Sequence, residues 1–134
     1  MLFRSQEAFQ QALAAAERIE YDHWRSEAYH KVALALVQAG QAEQALAAAE
    51  RSEDDYWRSS AYRAVALALV QAGQAEQALA AAERIKYDYW RSRAYREVAL
   101  ALAQAGQPEQ AQKALAQALE VARQISRQIG RAHV

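Results

Sequence analysis

Residues 71–103 read QAGQAEQALAAAERIKYDYWRSRAYREVALALA, and the 33 residues before them repeat this stretch almost unchanged. Blocks 38–70 and 71–103 are identical at 27 of 33 positions, and block 8–37 matches 41–70 nearly as well. A fixed period of this length is the signature of a repeat architecture, because each unit buries its apolar face only against its neighbours. The sequence therefore predicts a single helical-repeat domain over 1–134. Its copies are 5–37, 38–70 and 71–103, followed by a C-terminal capping helix over 104–130.

Each unit is predicted to form two helices. The first places Tyr62, Val65 and Leu69 on one face at helical spacing. Asp55, like its equivalents, precedes this helix and is expected to cap it, and Gly73 is expected to end it in the left-handed conformation. The second helix carries a row of alanines that allows close packing. Read along the chain, these signals predict seven helices, near 6–19, 23–39, 41–52, 56–72, 74–85, 89–105 and 108–129.

The last of these helices departs from the repeat. Pro108 occupies its first position, where a missing N–H costs nothing, and the helix runs well past repeat length. Gln112 and Lys113 replace the Leu79 and Ala80 of the preceding unit, which makes one face more polar. A polar outer face is what a terminal cap requires, because an end repeat has no neighbour to cover it.

Composition narrows the class of function. Sixteen basic and sixteen acidic side chains cancel, which gives no electrostatic reason to expect a nucleic acid or an anionic membrane as partner. The chain has no cysteine, hence no thiolate zinc site and no thiol nucleophile. It shows no signal peptide and no run of membrane-spanning length. We expect a soluble, cytoplasmic, all-α protein.

The pattern that runs through the first helix, its glycine and the second helix resembles the tetratricopeptide repeat family. The resemblance is carried by Tyr62, Val65, Ala66, Leu69, Gly73, Ala78, Leu79 and Ala82, together with their copies. It implies a right-handed α-solenoid of stacked antiparallel helix pairs whose first helices line a concave peptide-binding groove. The chain departs from the family in its period, 33 rather than 34, and in lacking the proline usual near the turn between repeats. It is also similar to a degenerate bacterial branch with an aromatic-Trp-Arg-Ser motif before the first helix.

The resemblance also indicates which residues would face the groove. Those positions are Glu27, His30, Leu34, Val37, Ser60, Arg63, Leu67, Val70, Arg93, Arg96 and Leu100. The family's best-known activity clamps a peptide carboxylate with Lys, Asn and Arg side chains. The central groove positions here are Leu34, Leu67 and Leu100, so no clamp is carried over.

Three sets of residues suggest chemistry, and each has a simpler structural interpretation. His23 and His30 lie seven residues apart and His133 is remote, so the three histidines would make a poor metal site. We interpret them instead as variation at the surface. Repeated Glu-Arg pairs favour exposed ion-pair ladders over acid–base catalysis. The aromatic columns are interpreted as plugs between units, with ligand stacking as the alternative. The members of these last two sets are Glu17, Glu50 and Glu83 with Arg18, Arg51 and Arg84, and Trp24, Trp57, Trp90, Tyr29, Tyr62 and Tyr95.

No catalytic, cofactor or metal constellation emerges from the sequence. The predicted function is a non-catalytic scaffold that binds a protein or peptide through its concave face, or that self-assembles. The alternative is a designed or consensus-like repeat protein without a natural ligand. Residues 1–85 carry 8 basic and 12 acidic side chains and residues 86–134 carry 8 and 4, so the two parts have net charges of −4 and +4. This asymmetry predicts weak, salt-sensitive, end-to-end association.

Overall fold

The computed structural model describes residues 2–132, which form seven α-helices and no strand. The all-α prediction is confirmed, and every predicted helix is present with its ends within four residues of the expected ones. The helices are α1 (Leu2–Glu17), α2 (Asp22–Gln38), α3 (Ala42–Glu50), α4 (Asp55–Gln71), α5 (Ala75–Glu83), α6 (Asp88–Gln104) and α7 (Pro108–Ala132).

The helices form two compact units, Met1–Val65 and Ala66–Val134, with the boundary inside α4. In the first unit α2 packs against both α1 and α3. In the second unit α6 packs against α5 and, most extensively, against α7. Among the described residues, no helix is both long and apolar enough to cross a membrane.

Alanine dominates the core of both units. Ala33, Ala45 and Ala49 are fully buried in the first unit, as are Ala78 and Ala81 in the second. Because a methyl side chain holds neighbouring helices only a short distance apart, these residues set a tight helix spacing. The larger core side chains then fill the space between the alanine rows. They are Leu36, Leu69, Val65, Val98 and Leu102, together with Tyr29, Tyr62 and Tyr95.

The first helix of each repeat copy ends in the same way. Gly40, Gly73 and Gly106 have φ values of 79°, 78° and 77°, as predicted for the left-handed position. At the first of these ends, the Gln41 N–H donates to the Leu36 carbonyl at 2.8 Å and the Gly40 N–H donates to the Val37 carbonyl at 2.9 Å. This pair of bonds is the Schellman motif, and it satisfies carbonyls that the end of the helix leaves unpaired.

The helix starts differ from the expectation. Asp22, Asp55 and Asp88 do not cap their helices but are the first helical residues. The residue before α2 and α6 is a tyrosine, which makes no side-chain cap bond. Of α2, α4 and α6, α4 alone has a side-chain cap among the described residues, and Asp54 provides it by accepting the Trp57 N–H at 3.1 Å. The cap therefore falls at a position where the copies differ and not at the repeated aspartate.

The repeated aspartate instead pairs with the arginine of the aromatic-Trp-Arg-Ser motif. Arg25, Arg58 and Arg91 each donate one nitrogen to the aspartate three residues earlier. Each donates its other terminal nitrogen, at 2.9 Å, to the carbonyl six residues earlier, in the turn that precedes the helix. A planar guanidinium can satisfy both acceptors at once. The motif therefore fixes the angle at which the chain enters the first helix.

Candidate protein-binding site

The predicted groove residues differ widely in exposure. Val37 and Val70 are buried and serve as packing residues, so they offer no surface to a ligand. The exposed members are Arg93, Arg96 and Leu100, and all three lie on α6. The remaining six are half-buried: Glu27, His30, Leu34, Ser60, Arg63 and Leu67.

On α2, the positions equivalent to the exposed α6 residues are partly covered by a tryptophan from α4. The Trp57 ring lies edge-on to the His23 ring at 5.4 Å between centroids and to the His30 ring at 5.6 Å. Its indole Nε1–H donates to Nδ1 of His23 at 3.1 Å. Both histidines contact the next repeat, but His23 stays exposed, as surface variation predicts, whereas His30 is half-buried and serves in packing.

The environment of His30 is that of a packing residue. Its Nδ1 is buried without a hydrogen-bond partner. Desolvation by burial lowers the pKa of His30 below 6.5. The nearby charge of Glu27 opposes this shift of the pKa, and that of Lys31 adds to it. The described residues contain no group of three potential metal ligands, and His133 lies outside them.

On α6, the corresponding face is open. Tyr89 and Leu100 are each 62% exposed, and Arg93 and Arg96 lie between them. The four residues follow the spacing i, i+4, i+7 and i+11, which places them on one side of the helix. Arg93 is held in place by Glu97, at 3.2 Å between nitrogen and oxygen, and its guanidinium lies 5.9 Å from the centroid of the Trp90 ring. We call these four residues the α6 face.

The tryptophan column does not behave as a set of plugs. Trp24 is 59% exposed and makes an edge contact with Tyr21, and Trp90 is more than one-third exposed. Trp57 is half-buried against the two histidines. Tyr29, Tyr62 and Tyr95 are all buried, each 4% exposed. The exposure of Trp24 and Trp90 disagrees with the prediction, whereas the packing of Trp57 on the histidines of the preceding copy and the burial of the tyrosines agree with it.

A groove of about 370 Å³ lies between α5 and α7 in the second unit, with Tyr95 at its base. Its rim carries Glu76, Glu83 and Lys113. Burial raises the pKa of Tyr95, and Glu83 raises it further against the effect of Arg91, so the hydroxyl stays protonated at neutral pH. The groove therefore offers a hydrogen-bonding hydroxyl and a mixed-charge rim, but no activated nucleophile.

The ion-pair ladder is confirmed in the first unit, where Arg51 pairs with Glu17 of the preceding copy. Both side chains are about half exposed to solvent. Such a pair contributes little to stability and leaves the carboxylate in water, which favours a surface role over acid–base chemistry.

The sequence did not point to the α6 face as a whole. It identified Arg93, Arg96 and Leu100 but not Tyr89, because the equivalent residue of the preceding copy, Tyr56, is also a tyrosine. Tyr89 and Tyr56 are similarly exposed, and what the sequence did not show is that Tyr89 shares one side of its helix with three exposed residues.

A scan against protein-family models finds no match, and searches of curated proteins and of solved structures find none either.

Proposed function

We propose that this chain is a non-catalytic helical-repeat scaffold that binds a protein segment through the α6 face. The observation that carries the proposal is the exposure of Tyr89, Arg93, Arg96 and Leu100 on one side of a helix that is otherwise firmly packed. The expected arrangement of the helix pairs as a right-handed solenoid belongs to the proposal and comes from the tetratricopeptide resemblance.

The composition of the α6 face favours a protein ligand. Tyrosine and arginine are the residue types, with tryptophan, that most often carry the binding energy of protein interfaces. The helix presents them in a fixed geometry, so less conformational entropy is lost on binding than from a loop. A rigid aromatic and a leucine at the two ends, with two guanidinium groups between them, form a surface suited to specific recognition.

The charge of the face selects the ligand class. Arg93 and Arg96 bring two positive charges, and Glu97 pairs with Arg93. We therefore propose a ligand segment with carboxylates flanked by apolar or aromatic anchors. The carboxylates would pair with the guanidinium groups, and the anchors would contact Tyr89 and Leu100.

The test is selection from a displayed library of random peptides on the full chain. Enriched peptides are expected to be acidic with apolar flanks. Their affinity is then measured by fluorescence anisotropy for the wild type and for Tyr89→Ala and Arg96→Ala. Each substitution is expected to weaken binding about tenfold or more, as for a residue that contributes at least 1.4 kcal/mol.

Lys31→Ala serves as the control, because Lys31 is exposed on α2 and lies outside the α6 face. It should leave the affinity unchanged. Selected peptides that bind both α6 variants as tightly as the wild type would contradict the proposal, as would a selection that enriches no peptide.

A further inference from the structure

The exposed side of α7 carries an apolar stripe that the expected cap should not have. Leu115 is 47% and Leu119 57% exposed, and Ala122 and Ile129 are also exposed. The spacing 115, 119, 122, 129 places them on one side of the helix. The stripe adjoins the face of α7 that packs in the core through Ala111, Ala114, Ala118 and Val121. We call Leu115, Leu119, Ala122 and Ile129 the α7 stripe.

The stripe was not expected from the sequence. Gln112 and Lys113, the polar replacements seen in the sequence, are exposed as expected but lie off the stripe, and Lys113 lines the groove toward α5. One stripe residue falls where an internal repeat is buried. Leu115 is the equivalent of Ala82, which has no exposed surface in α5. At this position, α7 therefore presents a larger apolar side chain than α5 does and leaves it uncovered.

We infer that the α7 stripe docks against the acidic N-terminal part of a second copy of this chain, in a head-to-tail contact. Charge complementarity selects this occupant. The outer half of α7 carries Arg123, Arg127 and Arg131, which only Glu120 offsets, at 3.8 Å from Arg123 and 4.0 Å from Arg127. Residues 86–134 have a net charge of +4 and residues 1–85 of −4. A symmetric contact between two α7 helices would bring like charges together, whereas the head-to-tail contact pairs opposite ones.

The first helix provides the matching surface. Ala12 and Ala15 of α1 are exposed, whereas their equivalents Ala45 and Ala48 in α3 are almost fully buried. α2 packs against both helices, but more extensively against α3 than against α1. Leucine side chains from α7 would fill the shallow surface that these alanines leave. Glu20 follows α1, is exposed, and offers a carboxylate to the arginines of the second copy, whereas Glu17 at the end of α1 pairs with Arg51.

Site-directed cross-linking tests this contact directly, because the chain has no cysteine of its own. Ala12→Cys and Leu119→Cys chains are prepared separately and mixed under mild oxidation. The mixture is expected to form a disulfide-linked dimer about tenfold faster than either variant alone, since docking raises the effective concentration of one thiol near the other. Faster dimer formation by Leu119→Cys alone would overturn the inference in favour of a symmetric α7 contact.

Sedimentation equilibrium supplies the second readout. Wild type is expected to self-associate at low ionic strength, with the association weakened about tenfold at high ionic strength because the opposite charges are screened. Leu119→Asp should abolish association at both ionic strengths. Gln124→Asp should not, because Gln124 is an exposed α7 residue off the stripe. The inference would be overturned if the wild type stays monomeric at both ionic strengths. It would also be overturned if the two α7 variants associate equally.

The inference and the proposed function fail separately. Leu119 lies outside the α6 face, so Leu119→Asp is expected to bind the selected peptides with wild-type affinity. Circular dichroism of both α7 variants verifies that the helices are retained, since Leu119 makes little core contact.

Discussion

At the residue scale, the arginine of the aromatic-Trp-Arg-Ser motif is a structural residue. Arg25, Arg58 and Arg91 repeat the same two hydrogen bonds, to an aspartate and to a turn carbonyl. The sequence showed the motif but not its role, because the carbonyl acceptor belongs to the backbone and leaves no mark in the residue pattern. The repeated aspartate was predicted to be a cap because its pairing with this arginine is likewise not visible in the residue pattern.

This role predicts a cost for a nominally conservative change. Arg58→Lys keeps the charge but cannot reach both the Ser52 carbonyl and Asp55 with a planar fork. We expect the free energy of unfolding to fall by about 1.5–3 kcal/mol, the range for a hydrogen bond made by a charged group. Urea denaturation followed by circular dichroism measures it. Arg18→Lys, at an exposed position, should leave the midpoint unchanged, and equal losses in both variants would argue against the motif's role.

His30 gives the chain a predicted dependence on pH. Its folded-state pKa is lowered by burial, so the unfolded chain binds a proton more readily than the folded chain. The contribution of His30 to stability is therefore constant above the ordinary pKa of 6.5 and declines as the pH falls below it. NMR titration of the imidazole protons should place the His30 midpoint below 6.5, with His30→Gln assigning the resonance. A midpoint at or above 6.5 would contradict the burial of its ring against Trp57.

At the element scale, the sequence predicts helices well because their signals are local. The apolar spacing, the glycines and Pro108 mark the helix ends, and each end lies close to its expected residue. Burial was harder to predict because it depends on the neighbours of a residue. Trp24, Trp57 and Trp90 occupy the same repeat position with different exposures. In α7 the substituted positions Gln112 and Lys113 are exposed as expected, but the apolar stripe that is also exposed was not predicted.

The helix-ending glycines allow a matched test at this scale. Gly73 has room for a methyl group but has φ of +78°. Gly73→Ala is therefore expected to destabilise the chain by about 1–2 kcal/mol through backbone strain alone. Gly130 lies inside α7 with equal room and without positive φ, so Gly130→Ala should raise stability slightly. Thermal unfolding compares the two. Shifts of the same sign would show that space and not backbone conformation decides the outcome.

At the scale of the whole molecule, the repeated residues maintain the helix packing, and the surface available for binding comes from positions that the packing leaves uncovered. The all-α repeat organisation was predictable because 33-residue periodicity is a property of the sequence alone. The α6 face was only partly predictable. Its residues have close counterparts in α4, and Arg93, Arg96 and Leu100 differ from theirs in being exposed where the α4 residues are half-buried.

The division between packing and surface residues leads to a prediction on a single helix. Tyr29 and Trp24 both lie in α2, yet Tyr29 is 4% and Trp24 59% exposed. Tyr29→Ala removes a buried ring and should lower the free energy of unfolding by about 3–5 kcal/mol, the usual cost for a large buried aromatic. Trp24→Ala loses only its edge contact with Tyr21 and should cost less than about 1 kcal/mol. Guanidinium titrations of both variants, with Tyr29→Phe as the conservative control, measure the contrast. If the tryptophan change is the costlier one, then Trp24 and not Tyr29 is the packing residue of α2.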